Sequence, residues 1–339
     1  MKGLVIRNTG YSYMVLADET GEIFDCKVKG NFRIRGIRTT NPVAIGDRVE
    51  FTPQVTEADT EQAHQALITA LEDRKNYIIR KSTNLSKQSH IIAANVDMCF
   101  LIVTVTQPET SLTFIDRFLA SAEAYRIPVT LVFNKVDLTS PDTSQGGEQG
   151  DGIDWAEYLD AVINLYENIG YPCRKVSATT GEGVDQLRKD IEGKIVCLSG
   201  NSGVGKSTLI NALVPGLQLR TSEISDAYNT GKHTTTFSEM YATSYSPEGQ
   251  PLWDKGGLID TPGIKGFGTF DMKREEVGHY FREIFHFAQD CRFNNCTHTH
   301  EPHCAVREAL ERHDIAESRY NSYLSMLEDE NEEKYRQGY

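Results

Sequence analysis

The chain contains the octapeptide Gly200-Asn201-Ser202-Gly203-Val204-Gly205-Lys206-Ser207, followed by Thr208, well past its midpoint. The apolar stretch 195–199 before it predicts a buried strand, and residues 206–213 predict a helix. Glycines there let backbone amides surround a phosphate, while Lys206 supplies a positive charge and Ser207 a hydroxyl for Mg²⁺. A glycine-rich turn with a chance lysine is the alternative, and the full match in this context favours a phosphate-binding loop.

A second motif, Asn134-Lys135-Val136-Asp137, follows the apolar stretch 128–133, which predicts another buried strand. Ligands of open α/β sheets bind at such strand ends. The Asp137 carboxylate can accept hydrogen bonds from N1–H and the N2 amino group of guanine, and adenine lacks both donors. The Asn134 amide suits the other edge of the base, and the Lys135 stem can lie across its face. The motif therefore predicts binding of a guanine nucleotide.

The order of these two motifs is inverted, because an ordinary GTP-binding domain has its phosphate loop before the base-reading tetrad. Between them, Ser177 and Ala178 end a predicted short strand at 175–177 and can place a backbone amide on guanine O6. The inverted order restricts the possible classes of protein more than either motif does alone.

Two further segments complete a predicted nucleotide site. Asp260-Thr261-Pro262-Gly263 follows an apolar stretch. Such an aspartate commonly holds Mg²⁺ through water, and such a glycine amide commonly contacts the γ-phosphate. In the run Gly231–Thr236 one threonine hydroxyl would complete the Mg²⁺ shell, and we favour Thr235. Taken alone, the run fits an exposed β-prone segment equally well.

The residue after Gly263 is Ile264, where many GTPases have a glutamine that orients the attacking water. An aliphatic side chain cannot do so. We therefore expect either very slow hydrolysis or a second residue with this function, and His233 is the candidate catalytic residue beside Lys206 and Thr235. The alternative for His233 is a surface histidine that only packs when the loop closes.

A candidate metal centre lies near the end of the chain, at Cys291, Cys296, His298 and Cys304. Three thiolates and one imidazole form a closed tetrahedral set suited to structural zinc, which would supply folding energy to a small helical domain. By spacing, His300 and His303 are rival ligands, and scattered buried cysteines are the alternative to a metal site.

Composition limits the possible classes. The chain has 339 residues and a net charge of −13, which argues against a generic nucleic-acid binder. A local basic cluster nevertheless occurs, with no acid between its members Lys27, Lys29, Arg33, Arg35 and Arg38. The longest apolar run, Met98–Val105, is too short to span a bilayer. With no recognisable secretion signal and seven cysteines, the sequence predicts a cytoplasmic protein without membrane association.

The chain divides into three predicted domains. Residues 1–72 contain four or five short alternating strands and predict an OB-fold β-barrel that binds RNA. Residues 73–272 alternate strand and helix, which predicts a mainly parallel α/β sheet. Residues 273–339 predict a helical zinc-binding domain with a C-terminal tail. The stretches 53–66 and 139–152 are polar and predict loops.

The motif order resembles that of the circularly permuted GTPases. Nearly the whole chain resembles the RsgA (YjeQ) family in particular, apart from the loops 53–66 and 139–152 and the acidic tail. The resemblance rests on the motifs above, on Glu301–Cys304 within the metal set, and on the segments 74–77 and 88–97. It implies zinc on Cys291, Cys296, His298 and Cys304, a catalytic His233, and an aliphatic residue at 264. It also implies action late in 30S ribosomal subunit assembly, with 16S rRNA as partner and GTP hydrolysis triggering release. We expect a monomer.

Two other functions remain open. The first is an rRNA-binding assembly adaptor whose nucleotide domain has negligible turnover, against which the intact Lys206, Ser207, Asp260 and Asp137 argue. The second is a GTP-dependent kinase or transferase, for which the sequence offers no acceptor motif.

Overall fold

The computed structural model of the protein describes residues 1–28, 42–54, 64–81, 89–139, 153–217, 239–260 and 272–328. Within these ranges the α-helices are α1 (Leu112–Ala124), α2 (Trp155–Ile169), α3 (Val184–Ile191), α4 (Lys206–Leu213), α5 (Arg282–Ala288), α6 (Ala305–Glu311) and α7 (Glu317–Leu327). The strands are β1 (Lys2–Asn8), β2 (Tyr13–Ala17), β3 (Ile23–Val28), β4 (Arg48–Pro53), β5 (His64–Leu71), β6 (Tyr77–Lys81), β7 (Ser89–Ala94), β8 (Met98–Val103), β9 (Val129–Phe133), β10 (Cys173–Lys175), β11 (Ile195–Ser199), β12 (Glu239–Ala242) and β13 (Gly257–Asp260).

The N-terminal strands form a closed barrel. They follow the order β1-β2-β3-β5-β4, and β4 pairs back with β1 through Gly3 and Val49. Alternate side chains point inward because successive residues of a strand face opposite sides, and Val15, Phe24 and Phe51 are among those that fill the interior. The predicted OB-fold barrel is confirmed. The sequence missed β5, because its start lies inside a polar stretch that predicted a loop.

The middle of the chain forms a sheet in the order β10-β9-β8-β11-β13-β12, and its first five strands run parallel. On β8, Leu101 packs in the core beneath α1 and α2, whereas Phe100 and Ile102 pack in the core beneath α3 and α4. Helices thus cover both faces, as the α/β prediction required. The bounds of α2, α3, α4 and β11 agree with the predicted ones.

Two strand predictions for the middle of the chain were wrong or incomplete. The short strand expected at 175–177 lies at Cys173–Lys175, because its pairing with Leu131–Phe133 on β9 sets its position. The β6–β7 hairpin was not predicted at all. Asn76, at the entry to this hairpin, exchanges two hydrogen bonds of 2.8 Å with the backbone of Val96.

The barrel and the nucleotide-domain sheet are joined. Strand β1 pairs with β12 at Arg7 and Glu239, so the barrel strands and the nucleotide-domain strands form one continuous sheet. The residues that follow β5 are also fixed to the barrel, because Arg74 forms a two-pronged ion pair with buried Asp47, at 2.6 Å for each contact. Burial raises the pKa of Asp47, and the Arg74 guanidinium opposes that rise.

The C-terminal region is a small module of a 3₁₀ turn, α5, α6 and α7 with its own apolar core. Ala120 of α1 takes part in that core, so the module packs on the nucleotide domain. In the part of the chain that the structure describes, no helix has the length and apolar character needed to cross a bilayer.

Candidate functional site

The loop Gly200–Gly205 joins β11 to α4 at the carboxyl end of the sheet. Gly205 has φ +91°, and a Cβ there would lie 2.5 Å from Nδ2 of Asn134. Gly200 has φ +150°, and a Cβ there would overlap the carbonyl oxygen of Ile102. Both positions therefore require glycine, because an L side chain would be strained and would also clash. The loop leads directly into the N-terminus of α4, as anion binding requires.

Lys206 is the first residue of α4, and its Nζ donates to the carbonyl oxygens of Gly200 at 2.6 Å and Asn201 at 3.0 Å. Burial lowers the pKa of Lys206, and the nearby Asp260 carboxylate opposes that change. Burial raises the pKa of Asp260, and Lys206 opposes it in turn. Asp260 ends β13 opposite Leu198 of β11. The structure thus brings together a cation and a carboxylate that the sequence had predicted for one phosphate site.

Asn134 connects three of the predicted motifs. Its Nδ2 donates to the carbonyl of Val204 in the loop at 2.8 Å, and its Oδ1 accepts from the amide of Ala178 at 3.0 Å. The sequence predicted that the side-chain amide of Asn134 contacts one edge of the base. In the structure it also holds the base-reading tetrad, the Ser177-Ala178 turn and the phosphate loop in a fixed relation.

The other residues of the tetrad and of the Ser177-Ala178 turn lie near Asn134. Lys135, at φ +63°, donates from Nζ to the carbonyl of Gln107 at 2.5 Å, and burial lowers its pKa. Asp137 lies in the 3₁₀ turn Val136–Thr139. Ser177 is buried, and its Oγ accepts from the amide of Thr180 at 3.1 Å.

Sequence reasoning missed the segment after β8. Besides the contact of Gln107 with Lys135, Pro108 lies 3.4 Å from the position that a Cβ on Gly203 would occupy. The available signal was its place directly after a buried strand, where ligand-binding residues of an α/β sheet cluster.

Several predicted site residues lie outside the described residues, and their assignments stay predictions. They are the threonine run with His233 and Thr235, and the residues Gly263 and Ile264.

The structure gathers Cys291, Cys296, His298 and Cys304 into one cluster, with their ligand atoms all within 4.8 Å of one another. The Cys291 Sγ lies 3.9 Å from the Cys304 Sγ, and the His298 Nδ1 lies 3.6 and 3.4 Å from these two sulfurs. A tetrahedral zinc ion would separate such ligands by about 3.5–3.8 Å, given its usual bond lengths. The donor set and its spacing therefore fit one zinc ion.

The rival histidines are not part of the cluster. His300 is exposed and its Nδ1 lies 2.9 Å from the Thr299 hydroxyl. His298 is instead held in place from its backbone, since its carbonyl accepts from the Tyr320 hydroxyl at 2.6 Å.

Glu301 fixes the loop between the cluster's ligands. Its carboxylate accepts from the amides of Thr297 at 2.7 Å, Thr299 at 3.0 Å and His300 at 3.1 Å. Burial alone would raise the pKa of Glu301, but hydrogen bonds from Thr297 and His300 hold it well below its usual range. The Glu301 carboxylate, a charged acceptor, therefore orders the loop that carries the cluster residues.

Fold and site together define a class: a P-loop GTP-binding domain with its motifs in circularly permuted order, flanked by an OB-fold barrel and a Cys₃His module. The RsgA GTPase family model matches residues 71–270, and the RsgA N-terminal domain model matches residues 2–60. The chain belongs to the RsgA family and is a GTP hydrolase.

Relatives match this chain along its full length. A protein of Bacteroides thetaiotaomicron named small ribosomal subunit biogenesis GTPase RsgA 2 is 60% identical over 339 residues, covering 100% of both chains. Its counterpart in Porphyromonas gingivalis is 53% identical with the same coverage. The crystal structure of YjeQ from Thermotoga maritima superposes with a TM-score of 0.71 at 34% identity, over 96% of each chain. YloQ, described as a circularly permuted GTPase, shares the fold with a TM-score of 0.68 at 23% identity, over 100% of this chain and 96% of its own.

Proposed function

We propose that the protein hydrolyses GTP during late maturation of the small ribosomal subunit. It binds the 30S particle through 16S rRNA, the particle accelerates hydrolysis, and hydrolysis to GDP and phosphate triggers release. The observation that carries the proposal is that Asn134 hydrogen-bonds to both Val204 and Ala178, which supports a single site built from the tetrad, the Ser177-Ala178 turn and the loop 200–205. Relatives over the full chain carry the corresponding name.

Each residue has a distinct part in the proposed reaction. Asp137 reads guanine, the amides of 200–208 hold the phosphates, and Lys206 places its charge beside the β and γ phosphates. The hydroxyls of Ser207 and Thr235 would hold Mg²⁺, Asp260 would reach the ion through water, and the Gly263 amide would contact the γ-phosphate. Such an ion would supply positive charge beside the phosphate oxygens. Water attacks the γ-phosphorus and the bond to the bridging oxygen breaks, so that GDP and phosphate leave.

The same proposal assigns a role to each of the three regions of the chain. Residues 1–72 bind rRNA, 73–272 form the GTPase domain, and 273–339 form a module that one structural zinc ion stabilises. Since the net charge is −13, contact with RNA relies on local basic residues such as those from Lys27 to Arg38. The protein works as a monomer in the cytoplasm.

The deciding experiment is GTP hydrolysis measured with and without purified 30S subunits. We expect a low rate alone and a rate at least about tenfold higher with saturating subunits, since partner-activated GTPases gain several orders of magnitude. Binding to 30S without any rise in turnover would instead support the adaptor function.

Zinc removal tests the metal assignment. Cys304→Ala should abolish the one zinc ion per chain and unfold the C-terminal module, because metal binding in such a site is worth about 10 kcal/mol or more of folding energy. Atomic emission and the melting curve measure both effects. Cys173→Ala, at a buried cysteine outside the cluster, is the control and should keep its zinc. A zinc-replete Cys304→Ala protein would refute the assignment.

Base choice tests the role of Asp137. Asp137→Asn replaces one acceptor by an amide donor, which suits the C2 oxygen of xanthine and not the amino group of guanine. We expect GTP affinity to fall about 100-fold or more and XTP affinity to rise, because unpaired polar groups in a binding pocket are costly. Titration with labelled GTP, XTP and ATP measures the change. Unaltered GTP affinity would show that Asp137 does not read the base.

His233→Ala tests the catalytic assignment. Loss of the residue that orients water should leave GTP affinity near that of the wild type and lower 30S-stimulated turnover by about 10²-fold or more. Single-turnover hydrolysis on 30S subunits measures it. If stimulated turnover stays unchanged, His233 is a surface residue and another group orients the water.

A further inference from the structure

The barrel meets the nucleotide site through a row of paired residues. Glu239, the first residue of β12, lies between Arg7 of β1 and Asp260 of β13 in the strand register. Residues opposite one another on adjacent strands face the same side of a sheet. The three side chains thus form a charged row that runs from the barrel to the aspartate of the proposed Mg²⁺ site.

Glu239, the middle member of the row, has two direct side-chain contacts. The Arg7 Nε lies 3.5 Å from the Glu239 Oε1, and the Tyr241 hydroxyl donates to the Glu239 Oε2 at 3.3 Å. Burial and the charges of Glu239 and Asp260 raise the pKa of Tyr241, so this side chain stays a neutral donor. Glu239 is thereby held from two sides.

The opposite face of the same strands is apolar and buried. Ile6 of β1, Met240 of β12 and Ile259 of β13 belong to one core cluster. Each is the chain neighbour of a member of the charged row. A displacement of β1 therefore acts on β12 and β13 through close packing as well as through charge.

Strand β1 belongs both to the barrel and to the nucleotide-domain sheet. Its first residues, Lys2 to Leu4, pair with β4 inside the barrel, and its later residue Arg7 pairs with β12. The pairing of β1 with β2 shifts register between Val5 and Arg7, which marks a bulge where the strand leaves one partner for the other. A ligand bound to the barrel therefore acts on a strand that ends against the nucleotide domain.

We propose that Arg7 and Glu239 are positioning residues that transmit occupancy of the barrel to Asp260, and so couple partner binding to GTP turnover. The identity of the partner as the 30S subunit rests on the proposed function. Neither residue belongs to a predicted nucleotide motif, because Arg7 lies on β1 and Glu239 on β12. Their effect is on the placement of β12 and, through it, of β13.

Charge reversal provides the test. For Arg7→Glu, the ratio of 30S-stimulated to basal turnover should fall about fivefold, which is the size expected for losing one partly exposed ion pair. The double variant Arg7→Glu/Glu239→Arg should regain the ratio. Arg48→Glu is the control, because Arg48 forms a similarly exposed pair with Asp18 on the barrel and does not touch β12. The affinity of each variant for 30S subunits is measured separately.

A second measurement needs no ribosomal subunit. Hydrogen exchange at the amides of β12 and β13 should be faster in Arg7→Glu than in the wild type or Arg48→Glu. Unchanged exchange, an unchanged turnover ratio, or a loss that the double variant does not restore would each overturn the coupling. Absence of 30S stimulation in the wild type would instead overturn the proposed function, and the exchange comparison would still decide the role of Arg7.

Discussion

Lys206→Ala is expected to lower GTP turnover by about 10²–10³-fold, the usual effect of removing one preorganised charge from a reacting group. The Lys206 Nζ is already held by the carbonyl oxygens of Gly200 and Asn201, so its position is set before a nucleotide arrives. Burial lowers its pKa, while Asp260 keeps the charged form favourable. The substitution therefore removes a charge that is partly desolvated and held at the loop.

Multiple-turnover hydrolysis at saturating GTP, with and without 30S subunits, measures this effect. Lys189→Ala on α3 is the matched control, because Lys189 is an exposed lysine outside the loop and its removal should leave turnover within about twofold. If Lys206→Ala kept more than about a tenth of the wild-type rate, the loop would not be the phosphate site that we propose.

Arg319→Ala is expected to destabilise the C-terminal module by about 3–5 kcal/mol, because it leaves buried carboxylates without their cation. Arg319 is 1% exposed, and its guanidinium donates to Asp116 at 2.8 Å and to the two oxygens of Glu283 at 2.5 and 3.0 Å. The Tyr166 hydroxyl also donates to Asp116, at 2.8 Å. Since Asp116 belongs to α1 and Tyr166 to α2, the network fixes the module to the nucleotide domain.

Hydrogen exchange at the amides of α7 measures this change and should accelerate by about two orders of magnitude or more. Arg312→Ala is the control, because Arg312 pairs with Asp314 at the surface and should change stability by about 0.5 kcal/mol or less. Equal exchange in the Arg319 and Arg312 variants would show that the module is held by its apolar core alone.

Helix α2 was predicted with its observed bounds, because both of its end signals are local. Helix α2 begins after Asp154, whose carboxylate accepts from the amides of Ala156 and Glu157, and ends at Gly170 with φ +96°. Both signals lie beside the helix in the sequence, so its ends need no distant partner. The short strand β10 lacks such signals, and its register depends on β9. For that reason its prediction was displaced by two residues.

The candidate site likewise has a part that could be predicted from the sequence and a part that could not. The phosphate loop, the tetrad and the Cys₃His set are each compact in sequence, so the residue types needed for phosphate, guanine and zinc could be predicted. The choice of His298 over His300 and His303 could not be made from spacing. It depends on how the loop around Glu301 folds and which imidazole it turns towards the sulfurs.

The sequence by itself determined the permuted motif order and the three-part organisation of this protein, and it predicted the chemistry of each motif. Each of these depends on residues near one another in the chain or on their order. Only the tertiary structure decided that Asn134 holds two other motifs, that β1 continues into β12, and that Arg319 joins α7 to α1. These contacts bring together residues from 44 positions apart, for Asn134 and Ala178, to 232 positions apart, for Arg7 and Glu239. Such distant pairings depend on packing and register, and they leave no local pattern in the sequence.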